Sequence, residues 1–200
     1  MIDFVYLASQ SPRRSQLLAQ LGVRHELLLP GPDEDSEGLE VMLANEAPTR
    51  YVKRVTELKL DAALLRLEQR GLTSAPVICS DTTVALGRRI YGKPDDTRDA
   101  QRMLTELAGK THRVLTAVAV GTARSRVQMM SESRVTFGPL SGAQIKAYVA
   151  SGEPMGKAGA YAVQGRAAAF IAHISGSYSG IMGLPVFETA ALLRSMRVRF

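Results

Sequence analysis

Short apolar runs alternate with amphipathic helical stretches along the whole chain, and that alternation restricts it to the α/β class. Residues 4–8 and 76–80 read as buried strands, the second ending at Asp81, and residues 23–29 as a further strand. Residues 84–91 read as a hairpin turning at Gly87-Arg88. Residues 113–120 are almost continuously apolar and predict a central strand, with 127–137 as its antiparallel neighbour and 168–174 as a last strand. Between them lie helices. Ser11 and Pro12 suit an N-cap and first turn, and Gly22 a C-cap. Residues 49–71 form a long amphipathic helix with Val52, Val55, Leu58, Ala62 and Leu65 on its apolar stripe. Asp95 or Asp96 caps a helix to Leu107, Ser141 caps one to Ala150, and Pro185 opens one ending near Met196. Residues 31–48 form a loop or short helix, and 176–183 a loop. The expectation is a mixed sheet flanked by helices, one domain over residues 1–200.

Composition narrows the function classes. The chain has 200 residues, 46% hydrophobic and 22% charged, which suits a globular domain and excludes a disordered one. The richest apolar stretch, 158–174, is interrupted by Gln164, Arg166 and His173, so it does not read as a membrane span. No basic segment precedes residues 4–8, so these do not read as a signal peptide. Cys79 is the sole cysteine and forms no internal disulfide. These features predict a cytoplasmic protein. Lys plus Arg number 25 against 19 Asp plus Glu, a net charge of +6 that favours an anionic partner. Trp is absent, aromatics are 6%, and no compact basic run occurs, which argues against a stable nucleic-acid complex. Distributed charge suits a cleft for a small anion.

Several segments carry candidate chemistry. Ser9-Gln10-Ser11-Pro12-Arg13-Arg14 places two arginines in the first turn of a helix, where the macrodipole repels cations unless an anion compensates. It lacks the glycines and the Gly-Lys-Ser/Thr ending of a Walker A loop. Asp81-Thr82 ends an apolar strand, the place where ligands bind in open α/β sheets. Gly92-Lys93-Pro94 adds a close-approach glycine and a cation. The acidic loop with Asp33 and Glu34 supplies a second carboxylate, so Glu34 and Asp81 form a candidate pair for magnesium. Lys59 lies beside the apolar stripe of the long helix. The small-residue segment 156–165 contains Gln164, whose amide both donates and accepts toward a base edge. His25, His112 and His173 lack ligand-like spacing, so no zinc site is predicted.

Taken in order, these segments resemble the Maf family of nucleotide pyrophosphatases. The resemblance rests on residues 7–14, Asp33-Glu34, 51–59, 80–84, Gly92-Lys93-Pro94, 152–165 and 177–185. It implies a two-lobed α/β fold related to the inosine-triphosphate pyrophosphatases, with a cleft between the lobes. It also implies hydrolysis of a nucleoside triphosphate to the monophosphate and pyrophosphate with a divalent metal, Mg2+ or Mn2+. Arg13, Thr82 and Gln164 match the group acting on dTTP and UTP rather than the 7-methyl-GTP group. By the same resemblance Ser9, Arg13, Arg14, Lys59 and Lys93 bind phosphates, and Glu34 and Asp81 hold the metal. Asp81 serves either as that ligand or as base for the attacking water; both roles stay open. The family also implies a homodimer; the alternatives are a non-catalytic role in septum formation by protein binding and a 7-methyl-GTP pyrophosphatase. Two departures stand out. Gly138 replaces an expected arginine in Phe137-Gly138-Pro139-Leu140, and Gly156 stands where aspartate is common before Lys157.

Overall fold

The computed structural model describes residues 3–32, 34 and 38–200. Its sheet runs in the order β2-β1-β3-β5-β6-β7, with β4 paired to β3 off that path. β1 (Val5–Leu7) is wholly buried and lies parallel to β2 (His25–Leu27) and β3 (Val77–Leu86). β4 (Arg89–Tyr91), β5 (Thr111–Gly121), β6 (Arg126–Phe137) and β7 (Ile171–Ser175) add antiparallel pairings. Six helices flank this mixed sheet: α1 (Pro12–Gln20), α2 (Pro48–Gln69), α3 (Thr97–Leu107), α4 (Gly142–Ala150), α5 (Tyr178–Met182) and α6 (Val186–Ser195). None of the helices is long and apolar enough to cross a membrane, among the described residues.

β3 organises everything that follows. One of its edges pairs with β5 without a break, from Val77 opposite Gly121 to Ala85 opposite Arg113. The other edge is shared. β1 holds Val77 and Ile78, and β4 holds Val84 to Leu86. Between those partners, among the described residues, residues 79–83 have no strand beside them on this edge, and the opening is the cleft. The strand expected to stop at Asp81 therefore runs on to Leu86, because the ladder with β5 satisfies its backbone through the polar stretch. The two halves of the molecule are the parts on either side of the opening.

Alternation along β3 then sorts its side chains. Val77 and Cys79 pack with Leu60, Ala63 and Leu67 of α2. Ile78 packs on the opposite face with Leu17 and Leu18 of α1 and Leu192 and Leu193 of α6. Continuing the period of two, Asp81 falls on the α2 face, while Ser80 and Thr82 fall on the α1 and α6 face.

Helix α2 differs in phase from the predicted stripe. Val52 and Val55 are fully buried, but Leu58 and Leu65 are 37% and 55% exposed. The buried set is instead Pro48, Tyr51, Val52, Val55, Thr56, Leu60, Ala63, Arg66 and Leu67. Positions 52, 59 and 66 are spaced by seven and lie along one line of the helix. Lys59 thus stands in the middle of the face turned toward β3, not at its margin. The leucines at 58 and 65 misled the periodicity because Arg66, a residue normally exposed, is buried here by ion pairing.

Two more segments differ from expectation. Residues 166–170 form a 3-10 turn before β7 begins at Ile171. The predicted loop 176–183 contains α5, capped by the Ser177 hydroxyl on the Gly180 amide and closed by Gly183 at φ 113°. The predicted Asp96 and Ser141 caps are present, Ser141 as a full capping box with Gln144. In the second half, His112, Phe137 and Tyr161 pack edge to face. Burial pushes His112 down to about 4, so it sits neutral, with Nε2 at 2.9 Å from the Tyr161 hydroxyl.

Candidate active site

The open edge of β3 forms the floor of a cleft of about 450 Å³, within the usual range for a small-ligand site. Ser9, Arg13, Arg14, Lys59, Asp81, Thr82, Lys93 and Gln164, all predicted site residues, line it. Glu34 does not.

The β1–α1 loop makes one wall. The Arg14 side chain crosses to the loop after α5, where Nε donates to the Gly183 carbonyl at 2.8 Å and Nη1 to Ser9 Oγ at 3.0 Å. Burial pulls its guanidinium below the ordinary arginine value, and nearby Asp81 opposes that pull. The Ser80 hydroxyl also donates to Gly183, at 2.9 Å. A backbone carbonyl thus fixes the arginine, a contact that no residue pattern signals. Thr82 Oγ1 is 3.0 Å from Thr116 Oγ1, which donates to the Gly180 carbonyl. The predicted specificity threonine is therefore also part of the anchor of the α5 segment.

The α2 wall supplies Lys59. Its Nζ donates to Asp81 Oδ1 at 2.6 Å and to Glu40 Oε1 at 2.7 Å. Lys93 reaches the other side of Glu40, at 3.1 Å from Oε2. Burial works against the Lys59 ammonium, but Asp81 and Glu40 outweigh it and hold it above the ordinary lysine value. Glu40 in turn is held below the ordinary carboxylate value, since Lys59 and Lys93 outweigh its burial. The Tyr51 hydroxyl donates to the Glu40 carbonyl at 2.8 Å, and Arg54 to the Val41 carbonyl at 2.9 Å, so α2 straps the Glu40 segment in place.

Glu34, the other expected metal ligand, lies outside the cleft lining. It is not placed with Asp81. Arg66 Nε donates to both of its oxygens at 2.8 and 2.9 Å, and the Gly31 amide to Oε1 at 2.9 Å. The hydrogen bonds from Arg66 hold its carboxyl down at about 2. Asp33 lies outside the described residues. The second carboxylate beside Asp81 is Glu40, which the sequence showed only as one acid among several in an irregular loop.

The remaining wall is the segment after α4. The Gly159 amide donates to the Gly92 carbonyl at 3.0 Å, and a Cβ at Gly159 would come within 2.9 Å of Val84. The small residue lets this segment dock on β3 and β4 beside Lys93. Gln164 follows, exposed on the cleft, its amide without a hydrogen bond to another described residue. Gly138, the other departure noted in the sequence, joins strand ends instead: its amide donates to the Phe170 carbonyl at 2.9 Å, away from the cleft lining.

A split strand edge ringed by arginine, lysine and paired carboxylates defines an α/β protein with a cleft built for a multiply charged anion. Residues 4–196 match the family described as Maf-like protein, and the chain belongs to the Maf family. It is 74% identical over 195 residues to a protein of Albidiferax ferrireducens named dTTP/UTP pyrophosphatase, covering 98% of each chain. Proteins with the same name from a Polaromonas species and Cupriavidus pinatubonensis are 68% and 60% identical, with 96% and 100% of each chain covered. A solved structure, the Ham1 protein of Staphylococcus aureus, is partly similar, with a TM-score of 0.44 at 12% identity over 66% of this chain and 71% of that one.

Proposed function

We propose that this chain hydrolyses dTTP and UTP to the monophosphate and pyrophosphate. The observation that carries the proposal is Asp81 at the centre of the open β3 edge, bonded to Lys59 and with Arg14 and Lys93 around it. The shared name of the relatives supports it. In this reading water adds to the α-phosphorus, the bond from that phosphorus to the bridging oxygen breaks, and pyrophosphate leaves with the electron pair. Asp81 orients the water and takes its proton. Arg13, Arg14, Lys59 and Lys93, with the Ser9 hydroxyl, hold phosphate oxygens and offset the charge that develops on the leaving group. Gln164 reads the pyrimidine edge, with Arg13 and Thr82 beside it. The protein acts as one domain over residues 1–200, as a homodimer, in the cytoplasm.

The donor set fits a divalent cation. Asp81 and Glu40 already share one positive group, the Lys59 ammonium, and magnesium takes one or two protein carboxylates together with substrate phosphates. Asp81 and Glu40 would hold it. When bound, Mg2+ or Mn2+ polarises phosphate oxygens and neutralises charge. Glu40→Gln is expected to raise the Mg2+ concentration for half-maximal activity by roughly tenfold or more. Glu34→Gln is expected to act on stability. Glu34's lowered value contributes stability above about pH 4.5 that is lost as pH falls toward about 2, so the variant should lose that part of the acid dependence. A shifted Mg2+ requirement in Glu34→Gln alone would return the metal to the Glu34 and Asp81 pair.

The direct test is pyrophosphate release with Mg2+ or Mn2+ across dTTP, UTP, 7-methyl-GTP and the common triphosphates. The expected result is monophosphate and pyrophosphate from dTTP and UTP ahead of the rest. Orthophosphate and a diphosphate, or no turnover, would overturn the proposal.

A further inference from the structure

The charges at the centre of the cleft are paired with one another: Lys59 with Asp81 and Glu40, and Lys93 with Glu40. Among the described residues three cations lining the cleft have no ion-pair partner: Arg14, which is held by the Gly183 carbonyl and the Ser9 hydroxyl, and two others. One is Arg13 in the first turn of α1, whose guanidinium has no hydrogen bond or ion pair with another described residue. The other is Lys157, which belongs to the opposite half of the molecule. Among the described residues its Nζ reaches only the Met155 carbonyl, at 3.4 Å. The carboxylate in its neighbourhood, Glu153, is already engaged. The Tyr148 hydroxyl donates to Glu153 Oε1 at 2.9 Å and the Arg166 amide to Oε2 at 3.0 Å. Burial, then the nearby Arg13 charge, holds the Lys157 ammonium below the ordinary lysine value.

The mount of Lys157 is rigid. Gly156 before it has φ 70°, and Gly159 after it has φ 69° and is locked between Val84 and Gly92. Two cations that line one cleft without an ion-pair partner among the described residues form an unfavourable arrangement that a bound anion reverses. We propose that Lys157 is a further substrate-binding residue, which closes with Arg13 on a phosphate group of the nucleotide from the opposite half of the molecule. This rests on the reading of the cleft as a nucleoside triphosphate site.

The test uses the full chain and two readouts: calorimetric binding of inorganic pyrophosphate and kinetics on UTP. Lys157→Met keeps the length of the side chain and removes its charge. It is expected to weaken pyrophosphate binding and raise KM for UTP by about tenfold or more, with kcat less affected. Lys157→Arg should restore most of the loss. In the Arg13→Ala and Lys157→Met double variant the losses should not multiply, since both side chains hold one anion. Folding is checked by circular dichroism, and Lys157→Gln serves if the methionine variant unfolds. Parent-like pyrophosphate affinity and KM in an active Lys157→Met protein would overturn the clamp alone. Lost pyrophosphate binding in a chain whose parent turns over no UTP would leave the clamp standing and overturn the proposed activity.

Discussion

Asp81→Asn is expected to lower kcat for dTTP and UTP at least about 10²-fold while the fold stays intact. The substitution keeps the size of the side chain and removes its negative charge. Lys59 retains Glu40 as a partner, at 2.7 Å, so the α2 wall should not collapse. The sign of the binding effect separates chemistry from structure. A carboxylate in the floor of the cleft repels a triphosphate, so without metal the variant should bind nucleotide at least as tightly as the parent. A large drop in kcat with unimpaired binding is the mark of a residue that acts on the reacting atoms. Parent-like turnover at saturating Mg2+ would remove Asp81 from the chemistry. Loss of both binding and thermal stability would make it structural.

Much of the cleft lining was legible because it rests on local signals. A strand end, a helix start and a turn each announce themselves within a few residues, and Arg14, Asp81 and Lys93 follow from them. What failed depends on partners far away in the chain. β3 passes through Asp81 because β5, some thirty residues on, completes its ladder, and no local feature records that. The phase of α2 follows from the burial of Arg66, whose counter-charge Glu34 lies in a loop with no periodicity. That same ion pair holds Glu34 away from Asp81, whereas Glu40 comes to share Lys59 with Asp81, in a segment whose backbone Tyr51 and Arg54 of α2 tie down. The Gly183 carbonyl, which accepts from both Arg14 and Ser80, was invisible for another reason: it is a backbone atom, and its position is set by the α5 turn that the sequence showed only as a loop.

Gln164→Glu is expected to lower kcat/KM for UTP by on the order of 10²-fold and to lower the ratio of UTP to 7-methyl-GTP turnover. The reason is hydrogen-bond polarity. Uracil and thymine present a ring N–H flanked by carbonyl oxygens, and the amide of Gln164 accepts from the first and donates to the second. A glutamate only accepts, which leaves a carbonyl oxygen of the pyrimidine facing a carboxylate oxygen. A guanine edge, with its N–H donors, meets no such conflict. The added negative charge also disfavours every triphosphate, but least 7-methyl-GTP, whose methylated base is positively charged, so this effect moves the ratio in the same direction. The side chain is free to act in this way, since it is exposed on the cleft and Gly165 beside it packs closely on Glu153, which fixes the backbone. Arg13 is untouched, so the variant should lose pyrimidine activity without gaining the full 7-methyl-GTP activity. The measurement is the ratio of kcat/KM for the two substrates in variant and parent. An unchanged ratio would mean that Gln164 does not read the base. Selection would then fall to the backbone amides and carbonyls of the segment around Ala158 and Ala162, small residues that line the cleft.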